Sequence, residues 1–299
     1  MGSHTTRDGS PPAHGGPALR VAVALLALAM AAASVLAWQL LSAHPAPARS
    51  SLPRSTPPAT TLPPQGGRTT SPGAVTTRTA PPTTTTTAGP LRVLEIGDSL
   101  GVDLGVAMEH NWPSTKVQLT MAARTDTGLT NAAYFDWPGA LPGLLASTHP
   151  QVVIVLLGAN DLQSMVTGST VLGDGTPAWN AAYAARVTSI VTASIRAGSK
   201  VLWVGEPAMQ DPFISAGMAR LDGIAQAVVS RHPGDAAYLS SDAALAPDGT
   251  FAVDAAGPTG LQLQVRTPDG VHLMPAGADL LAAAVSQALA NAWGMVTSQ

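Results

Sequence analysis

The sequence predicts a three-layer, doubly wound α/β domain with a mainly parallel five-stranded sheet. From Leu91 onward, short apolar runs alternate with longer segments of helical pattern. The apolar runs are nearly continuous in Val, Ile and Leu, which is typical of parallel strands buried on both faces. Right-handed crossovers between such strands place helices on both sides of the sheet. Residues 90–299 are therefore predicted to form a flavodoxin-like sandwich, long enough to bury one core.

The predicted elements of this domain follow one another in a regular order. The strands are Leu91–Ile96, Val117–Met121, Val152–Leu157, Val201–Val204 and Ala236–Leu239. The helices are Gly101–His110, Pro138–Ser147, Ala178–Ala197, Ser215–Ser230 and Pro275–Trp293. Residues 249–267 interrupt the alternation, and there Thr250–Val253 and Leu261–Val265 are predicted to pair as a small hairpin. The segment Val166–Thr176 is rich in Gly and Thr and is expected to be a loop near the candidate site.

Residues 1–42 contain a candidate membrane segment. Residues 1–17 are polar and are predicted to form a disordered cytoplasmic tail. Within residues 18–42, an almost wholly apolar run extends from Val21 to Trp38. A run of about 20 such residues matches a hydrocarbon core of roughly 30 Å. We therefore predict a transmembrane anchor at residues 18–42, and a cleaved signal peptide is the alternative, because small-residue cleavage sites are present.

Residues 43–89 have the composition of a linker. Pro, Thr, Ser and Ala dominate this segment, which offers almost no apolar surface to bury. Such a chain stays extended and reaches on the order of 140 Å when it is fully polyproline-like. A stalk of this length suits a domain that is held away from a membrane. We therefore expect the domain to be extracytoplasmic in a bacterial cell envelope, whether membrane-anchored or secreted after signal cleavage.

The composition excludes several classes of function. The chain has 15 Lys and Arg against 18 Asp and Glu, a net charge of −3, so it lacks the basic character of a nucleic-acid-binding protein. Cysteine is absent, which rules out disulfides, thiolate metal sites and cysteine nucleophiles. His110, His149 and His232 have no second ligand at metal-binding spacing. We therefore predict no metal and no other cofactor.

A candidate nucleophile follows the first predicted strand. Gly97 ends the apolar run, and Asp98 and Ser99 come next. A sharp turn from strand to helix lifts a side chain out of the sheet, and the first N–H groups of the helix face a developing oxyanion. A serine hydroxyl reacts readily only when a base accepts its proton. Asp98, directly beside the serine, is expected to have a structural role.

Asp269 and His272 are the candidates for that base. They are three residues apart on one short loop near the carboxyl end of the chain, so the carboxylate can orient the imidazole. Glycine-containing loops also follow the second and third strands, at Gly128 and at Gly158–Asp161. Functional groups of doubly wound sheets gather at the carboxyl ends of the strands. We therefore predict that these loops converge on Ser99.

The stretch Gly97-Asp98-Ser99-Leu100-Gly101 also fits the G-x-S-x-G nucleophile elbow of α/β-hydrolases. That fold has several strands before its serine, whereas only linker sequence precedes Leu91 here. It also takes its acid and its histidine from separate loops, in contrast to Asp269 and His272. The elbow is therefore the weaker interpretation.

Four separated blocks resemble the SGNH/GDSL hydrolase family and together cover most of residues 91–293. They are Gly97-Asp98-Ser99-Leu100, Thr127-Gly128-Leu129, Gly158-Ala159-Asn160-Asp161 and Asp269-Gly270-Val271-His272. The resemblance implies that Ser99, Asp269 and His272 form the catalytic triad. It also implies an oxyanion hole made by the N–H groups of Ser99 and Gly128 and by the Asn160 amide. The second block departs most from the family pattern, so which N–H completes the hole stays open.

Finer features resemble an extracytoplasmic, membrane-anchored bacterial branch of that family, whose relatives include proteins acting on acyl groups of envelope polysaccharides. These features are Asn160-Asp161-Leu162-Gln163, Trp179 with Tyr183 and Arg186, Trp203-Val204-Gly205-Glu206-Pro207, and Arg266. Asp161, Gln163, Trp179 and Arg266 are candidate substrate-binding residues. An internal ion pair is the alternative role for Arg266 and Arg186. Trp137, Trp179 and Tyr183 either form a sugar-stacking rim or pack in the core.

The sequence therefore predicts a serine esterase that removes O-acyl groups from a cell-envelope carbohydrate or a small ester through an acyl-serine intermediate. Its expected partners are that substrate and a membrane contacted through residues 18–42, without nucleic acid. Two alternatives stay open. One is an O-acyltransferase that uses the same triad, and the other is a non-catalytic, stalked glycan-binding protein.

Overall fold

A computed structural model of the protein describes residues 89–297. The predicted tail, anchor and nearly all of the linker lie outside these residues. Within this part of the chain, no helix combines the length and the apolar character needed to cross a membrane.

The described elements alternate between strand and helix, as predicted. In chain order they are β1 (Leu91–Gly97), α1 (Ser99–Asn111), β2 (Val117–Met121), α2 (Trp137–Thr148), β3 (Val152–Leu156), β4 (Met165–Thr167), β5 (Thr170–Leu172), α3 (Pro177–Arg196), β6 (Lys200–Val204), α4 (Pro212–Val229), β7 (Ala236–Leu239), α5 (Asp242–Leu245), β8 (Asp254–Ala256), β9 (Gln262–Gln264) and α6 (Pro275–Trp293). Each strand predicted for the main sheet and each predicted helix is present, with ends shifted by at most three residues.

A parallel sheet of five strands forms the middle layer. Its spatial order is β2-β1-β3-β6-β7, and every neighbouring pair is parallel. The side chains of β3, at the centre, are all buried, which explains why this strand reads as an unbroken apolar run. Helices α1 and α6 pack together, as do α2 with α3 and α3 with α4. Right-handed crossovers place these two groups on opposite faces of the sheet.

Strand β2, which follows β1 in the chain, lies on one side of β1 in the sheet, and β3 lies on its other side. The connections after β1 and β3 therefore diverge, and a crevice opens between the carboxyl ends of these two strands. Gly97, the last residue of β1, is in register with Leu156, the last residue of β3. Ser99 and Asn160 follow these two positions, so the topology brings both to the crevice.

Gly97 marks the turn from β1 into α1. A Cβ at Gly97 would lie 2.7 Å from the Leu156 carbonyl oxygen and 2.7 Å from the Gly101 Cα, so a larger residue does not fit without movement. Asp98 then caps α1, because its Oδ1 accepts a hydrogen bond from the Leu100 N–H (3.0 Å). Ser99 is consequently the first residue of the helix.

Two hairpins differ from the expectations. The first arm of the predicted hairpin is Asp254–Ala256 rather than Thr250–Val253, and it pairs with Gln262–Gln264. The turn fixes this register, because Gly260 has φ +79° and its N–H donates to the Gly257 carbonyl oxygen (2.9 Å). The segment expected to be a loop, 166–176, instead contains most of the antiparallel hairpin β4–β5.

Candidate active site

Ser99, His272 and Asp269 form one line of hydrogen bonds at the carboxyl edge of the sheet. The Ser99 Oγ lies 2.9 Å from the His272 Nε2, and the His272 Nδ1 lies 2.8 Å from the Asp269 Oδ2. Ser99 and His272 are 173 residues apart in the sequence. The arrangement lets the imidazole accept the serine proton while the carboxylate fixes its orientation.

The Asp269 carboxylate is held by several donors on its own loop. Its Oδ1 accepts from the Thr267 hydroxyl (2.5 Å) and from the N–H groups of Val271 (2.8 Å) and His272 (3.0 Å). Partial burial acts to raise the pKa of Asp269, but the hydrogen bonds from Thr267 and from His272 outweigh it and hold this pKa well below its usual range. Asp269 is therefore ionised at neutral pH.

The loop of Asp269 and His272 closes on itself. The Thr267 N–H donates to the His272 carbonyl oxygen (3.0 Å), and the Gly270 N–H donates to the Thr267 carbonyl oxygen (3.1 Å). Gly270 has φ +74°, a conformation that favours glycine, and a Cβ there would lie 2.3 Å from the Gln210 Cβ. This tight turn places the two side chains on the same side of the loop.

Arg266 secures the loop from the interior. Its guanidinium donates to the carbonyl oxygens of Ala208 (3.0 Å) and Val271 (2.8 Å), which joins the loop after β6 to the loop of His272. Only 1% of Arg266 is exposed. Burial lowers its pKa, while attraction to Glu206 and Asp269 opposes that effect. The candidate substrate-binding role of Arg266 is therefore wrong, because substrate cannot reach a side chain enclosed beneath the loop.

Asp103 ties the same loop to helix α1, and the sequence interpretation missed it. The Asp103 Oδ2 accepts a hydrogen bond from the Leu273 N–H (3.1 Å). Burial raises the pKa of Asp103, while the Leu273 N–H and attraction to His272 act in the opposite direction. A signal was available, because Asp103 lies one helical turn after Ser99 and therefore on the same face of α1.

Asn160 and Gly128 lie next to each other on the β3 and β2 sides of the crevice. The Asn160 amide donates to the Thr127 carbonyl oxygen (2.9 Å). That oxygen belongs to the same peptide group as the Gly128 N–H. A Cβ at Gly128 would lie 2.3 Å from the Asp161 Oδ1, so the close approach of this loop requires glycine. The structure thus brings together the two loops that were predicted to supply oxyanion donors.

Asp161 anchors the Gly128 loop from below. Its carboxylate accepts from the N–H groups of Leu129 (2.9 Å) and Thr130 (2.8 Å), and from the Thr130 hydroxyl (2.7 Å). Burial raises the pKa of Asp161, although these donors act to lower it. Asp161 is 0% exposed, which corrects the expectation that it contacts substrate.

Asp98 joins the turn after β1 to the turn after β3. Besides capping α1, it accepts through Oδ2 from the N–H groups of Gly158 (3.0 Å) and Ala159 (3.0 Å). Burial raises the pKa of Asp98 to about 6, against the lowering effect of its N–H donors. The contacts of Asp98 are structural, as expected. Its carboxylate connects the turn that carries Ser99 to the turn that precedes Asn160.

Helix α3 supports the second and third blocks from behind. The Tyr183 hydroxyl donates to the Asp161 Oδ2 (3.1 Å), the Trp179 Nε1–H donates to the Gln163 carbonyl oxygen (2.8 Å), and Arg186 donates to the Leu129 carbonyl oxygen. Burial, followed by nearby carboxylates, raises the pKa of Tyr183 well above its usual range, so its hydroxyl stays protonated.

The aromatic candidates are packed rather than exposed. Trp137 and Trp179 are 0% exposed, and the rings of Trp179 and Tyr183 stack with centroids 5.0 Å apart. Trp179 therefore does not contact substrate, and these residues form no sugar-stacking rim. Gln163 is different: it is exposed, and its side-chain amide donates to the Asn160 carbonyl oxygen (2.6 Å). It is the candidate substrate-binding residue that solvent can reach.

Glu206 is a second group that the sequence interpretation left without a role. It is buried against the Gly158 turn, where a Cβ at Gly158 would lie 3.0 Å from the Glu206 Cγ. Neither carboxyl oxygen of Glu206 has a hydrogen-bond partner among the described residues. Burial, followed by repulsion from Asp98, raises the pKa of Glu206 well above its usual range. Glu206 therefore supports the Gly158 turn by packing directly beneath it.

No group of three or more His, Asp or Glu side chains within residues 89–297 is arranged to hold a metal ion.

A protein-family model described as "Protein of unknown function (DUF459)" matches residues 92–288. No curated protein gives a match. Among solved structures, TesA is 19% identical, with 67% of this chain and 99% of that chain covered and a TM-score of 0.45. LAE5, an α/β hydrolase enzyme from the metagenome of Lake Arreo, is 14% identical, with 70% and 97% covered and a TM-score of 0.48. A catalytic mutant of Axe2, an acetylxylan esterase from Geobacillus stearothermophilus, is 12% identical, with 71% and 99% covered and a TM-score of 0.47.

Proposed function

This chain belongs to the DUF459 family, and we propose that it is a serine hydrolase that cleaves O-acyl esters through an acyl-serine intermediate. The observation that carries the proposal is the hydrogen-bonded line from Ser99 through His272 to Asp269, with distances of 2.9 and 2.8 Å. Such a line turns a weakly reactive hydroxyl into a nucleophile.

The reaction begins with the ester carbonyl at the amino end of α1. His272 Nε2 accepts the Ser99 proton while the serine oxygen attacks the carbonyl carbon, and the ionised Asp269 stabilises the resulting imidazolium. The carbonyl oxygen becomes an oxyanion. Its proposed donors are the N–H groups of Ser99 and Gly128 and the Asn160 amide. Asn160 uses one amide hydrogen on the Thr127 carbonyl oxygen, and its second hydrogen is available for the oxyanion.

The second half of the reaction releases both products. His272 returns its proton to the alcohol oxygen of the leaving group, and the tetrahedral intermediate collapses to the acyl-serine. Water then attacks the acyl carbonyl while His272 accepts a proton from it. The second tetrahedral intermediate collapses by breaking the bond to the Ser99 oxygen, His272 returns the proton to that oxygen, and a carboxylic acid leaves. The His272 and Asp269 side chains are 41% and 51% exposed. This exposure favours hydrolysis over acyl transfer, because an acyltransferase must keep water from the acyl-enzyme.

The proposed substrate is an O-acyl ester on a cell-envelope carbohydrate or a small ester. The proposed location is extracytoplasmic, with a single membrane span in residues 18–42 or a secreted form after signal cleavage. Both proposals rest on the apolar run of residues 21–38 and on the Pro- and Thr-rich linker of residues 43–89.

Replacing Ser99 by Ala tests the proposed nucleophile. We expect hydrolysis of p-nitrophenyl acetate to fall on the order of 10⁶-fold, as for loss of a serine nucleophile elsewhere, while the circular-dichroism spectrum stays that of wild type. Fluorophosphonate should label the wild type and not the variant. Full activity in the Ser99→Ala protein would remove the serine from the reaction. Absence of labelling in the wild type would favour a non-catalytic binder, and faster product release with an added sugar acceptor would favour an acyltransferase.

A further inference from the structure

A cavity of about 300 Å³ opens beside the loop that carries Asn160. It lies between the start of α4 and the turn that precedes α3. Its wall includes Leu162, Asp174, Gly175, Phe213, Gly217 and Arg220. None of these residues takes part in the proposed catalytic steps.

The cavity lies at the same edge of the sheet as Ser99. Leu162 is two residues beyond Asn160, so their Cα atoms are at most about 7.6 Å apart. Phe213 follows the loop after β6, and the Gln210 N–H in that loop donates to the carbonyl oxygen of Gly270 (3.1 Å), between Asp269 and His272. Leu162 and Phe213, which line the cavity, therefore lie close in sequence to the loops that carry Asn160 and contact Gly270, at the carboxyl edge of the sheet.

Phe213 lines this cavity and is largely exposed to solvent. It is 78% exposed, the highest value among the large hydrophobic side chains of the described residues. The Asp211 carboxylate fixes the helix start below it, because Oδ1 accepts from the Phe213 N–H (2.7 Å). An aromatic face attracts the weakly positive C–H groups of a sugar ring.

The polar groups of the cavity are rigid and electrically balanced. Arg220 and Asp174 form an ion pair at 2.6 Å, and their side chains are 26% and 28% exposed. Arg220 also donates to the Asn180 Oδ1 (3.0 Å), and its guanidinium lies 4.7 Å from the Trp179 ring centroid. A balanced pair suits neutral hydroxyl groups, which both donate and accept hydrogen bonds. It disfavours an acyl chain, which would cover the two charges without replacing their water contacts.

We propose that this cavity is a subsite for a neutral sugar ring of the substrate, next to the sugar that carries the acyl group at Ser99. The inference rests on the proposed function and narrows it, because the alcohol part of the ester is then an oligosaccharide or polysaccharide rather than a small alcohol. Phe213 stacks on the ring, and Asp174 and Arg220 bind its hydroxyl groups.

Two substrates separate the subsite from the catalytic machinery. The kcat/KM for p-nitrophenyl acetate reports the triad, and the kcat/KM for a partially O-acetylated xylohexaose reports the triad and the subsite together. Phe213→Ala should lower kcat/KM for the acetylated xylohexaose about 5–10-fold more than kcat/KM for p-nitrophenyl acetate, mainly through a higher KM. Phe213→Tyr keeps the aromatic ring and should restore kcat/KM for the acetylated xylohexaose. Val296→Ala is the matched control, since Val296 is 59% exposed and lies with Pro90 and Gln151 at the amino edge of the sheet.

A binding measurement keeps the subsite testable if the esterase proposal fails. Unmodified xylohexaose and chitohexaose are titrated calorimetrically into the full chain carrying Ser99→Ala, with and without Phe213→Ala or Asp174→Ala. If Phe213→Ala or Asp174→Ala weakens the binding of either glycan, the result supports the subsite, even if wild type hydrolyses no ester. The subsite proposal would be overturned if neither glycan binds, or if Phe213→Ala lowers kcat/KM equally for p-nitrophenyl acetate and the acetylated xylohexaose. Hydrolysis of p-nitrophenyl acetate with no glycan bound would leave the esterase proposal standing alone.

Discussion

Glu95 is a carboxylic acid enclosed beneath the helix that begins with Ser99. It is 0% exposed, and its Oε1 has no hydrogen-bond partner among the described residues. Glycines make room for it, since a Cβ at Gly101 would lie 2.9 Å from that oxygen. Burial raises the pKa of Glu95 to about 8, so the acid is largely neutral at pH 7. An ionised carboxylate here would oppose the oxyanion that the amino end of α1 is proposed to stabilise.

This neutral acid makes the stability depend on pH. The pKa of Glu95 is about 8 in the folded protein against an ordinary value of 4.5, so between these values the unfolded chain has released a proton that the folded protein keeps. The contribution of Glu95 to the free energy of unfolding is therefore fully present below pH 4.5. It decreases as the pH rises toward 8, by up to about 1.4 kcal/mol per pH unit. Because buried Asp98, Asp222 and Glu206 also have raised pKa values, Glu95→Gln should reduce, but not abolish, the loss of stability measured by denaturant unfolding between pH 5 and pH 8.

The matched control for that measurement is Glu109→Gln, an exposed glutamate on helix α1, which follows β1; this variant should keep the wild-type slope. Identical pH slopes for wild type and Glu95→Gln would show that Glu95 is already ionised in the folded protein.

Helix α3 illustrates how one element positions a site that it does not line. Trp179, Tyr183 and Arg186 lie at intervals of four and three residues, which places them on one helix face. That face contacts Gln163, Asp161 and the Leu129 carbonyl oxygen. The sequence pattern indicated a functional group of residues, and the structure shows that they act behind the proposed oxyanion loops.

Removing the Tyr183 hydroxyl tests this support. In Tyr183→Phe, Asp161 loses one of the donors that fix it, so we expect the free energy of unfolding to fall by about 1–2 kcal/mol. We also expect kcat for p-nitrophenyl acetate to fall several-fold with little change in KM, because misplaced oxyanion donors matter most in the transition state. Tyr134→Phe, at a side chain that is 60% exposed, is the control. Equal kinetics for the two variants would argue against a positioning role of Tyr183.

At the scale of the whole molecule, the site depends on joining the first helix of the domain to its last loop. The hydrogen bond from the Leu273 N–H to the Asp103 Oδ2 joins residues 170 positions apart. Helices α1 and α6 also pack against each other. The Ser99–His272 distance is therefore a property of the folded domain rather than of either segment.

Asp103→Ala removes the acceptor of the hydrogen bond from the Leu273 N–H, so the His272 loop should be held less firmly against α1. We expect kcat for p-nitrophenyl acetate to fall by up to about 10²-fold, since a small displacement of reacting groups has costs of this size. Asp103→Asn keeps an oxygen that accepts from the Leu273 N–H, so its loss should be smaller. Wild-type kcat in Asp103→Ala would mean that the loop holds its position without this contact.

The chain belongs to the DUF459 family, and the four sequence blocks that resemble the SGNH/GDSL hydrolases all lie within the matched residues 92–288. The resemblance was visible in the sequence because three of the four blocks overlap, or lie within three residues of, the end of a strand or the start of a helix. The catalytic roles of Ser99, His272 and Asp269, the oxyanion donors and the location stay proposals that the experiments above address.

The sequence by itself determined the order of strands and helices and the loops that meet. Unbroken apolar runs such as Val152–Leu156 require a sheet covered on both faces, and parallel strands bring their carboxyl ends to one edge. Ser99, Asn160 and His272 were therefore predictable as neighbours.

Only the tertiary structure decided which polar and aromatic side chains face the crevice. Asp161, Trp179 and Arg266 are enclosed, whereas Gln163 and Phe213 are exposed. The physical reason is that a buried polar group is stable wherever partners satisfy it. Those partners, such as the Val271 carbonyl oxygen for Arg266 or the Leu273 N–H for Asp103, come from distant segments or from a loop's own fold, so local sequence does not reveal them.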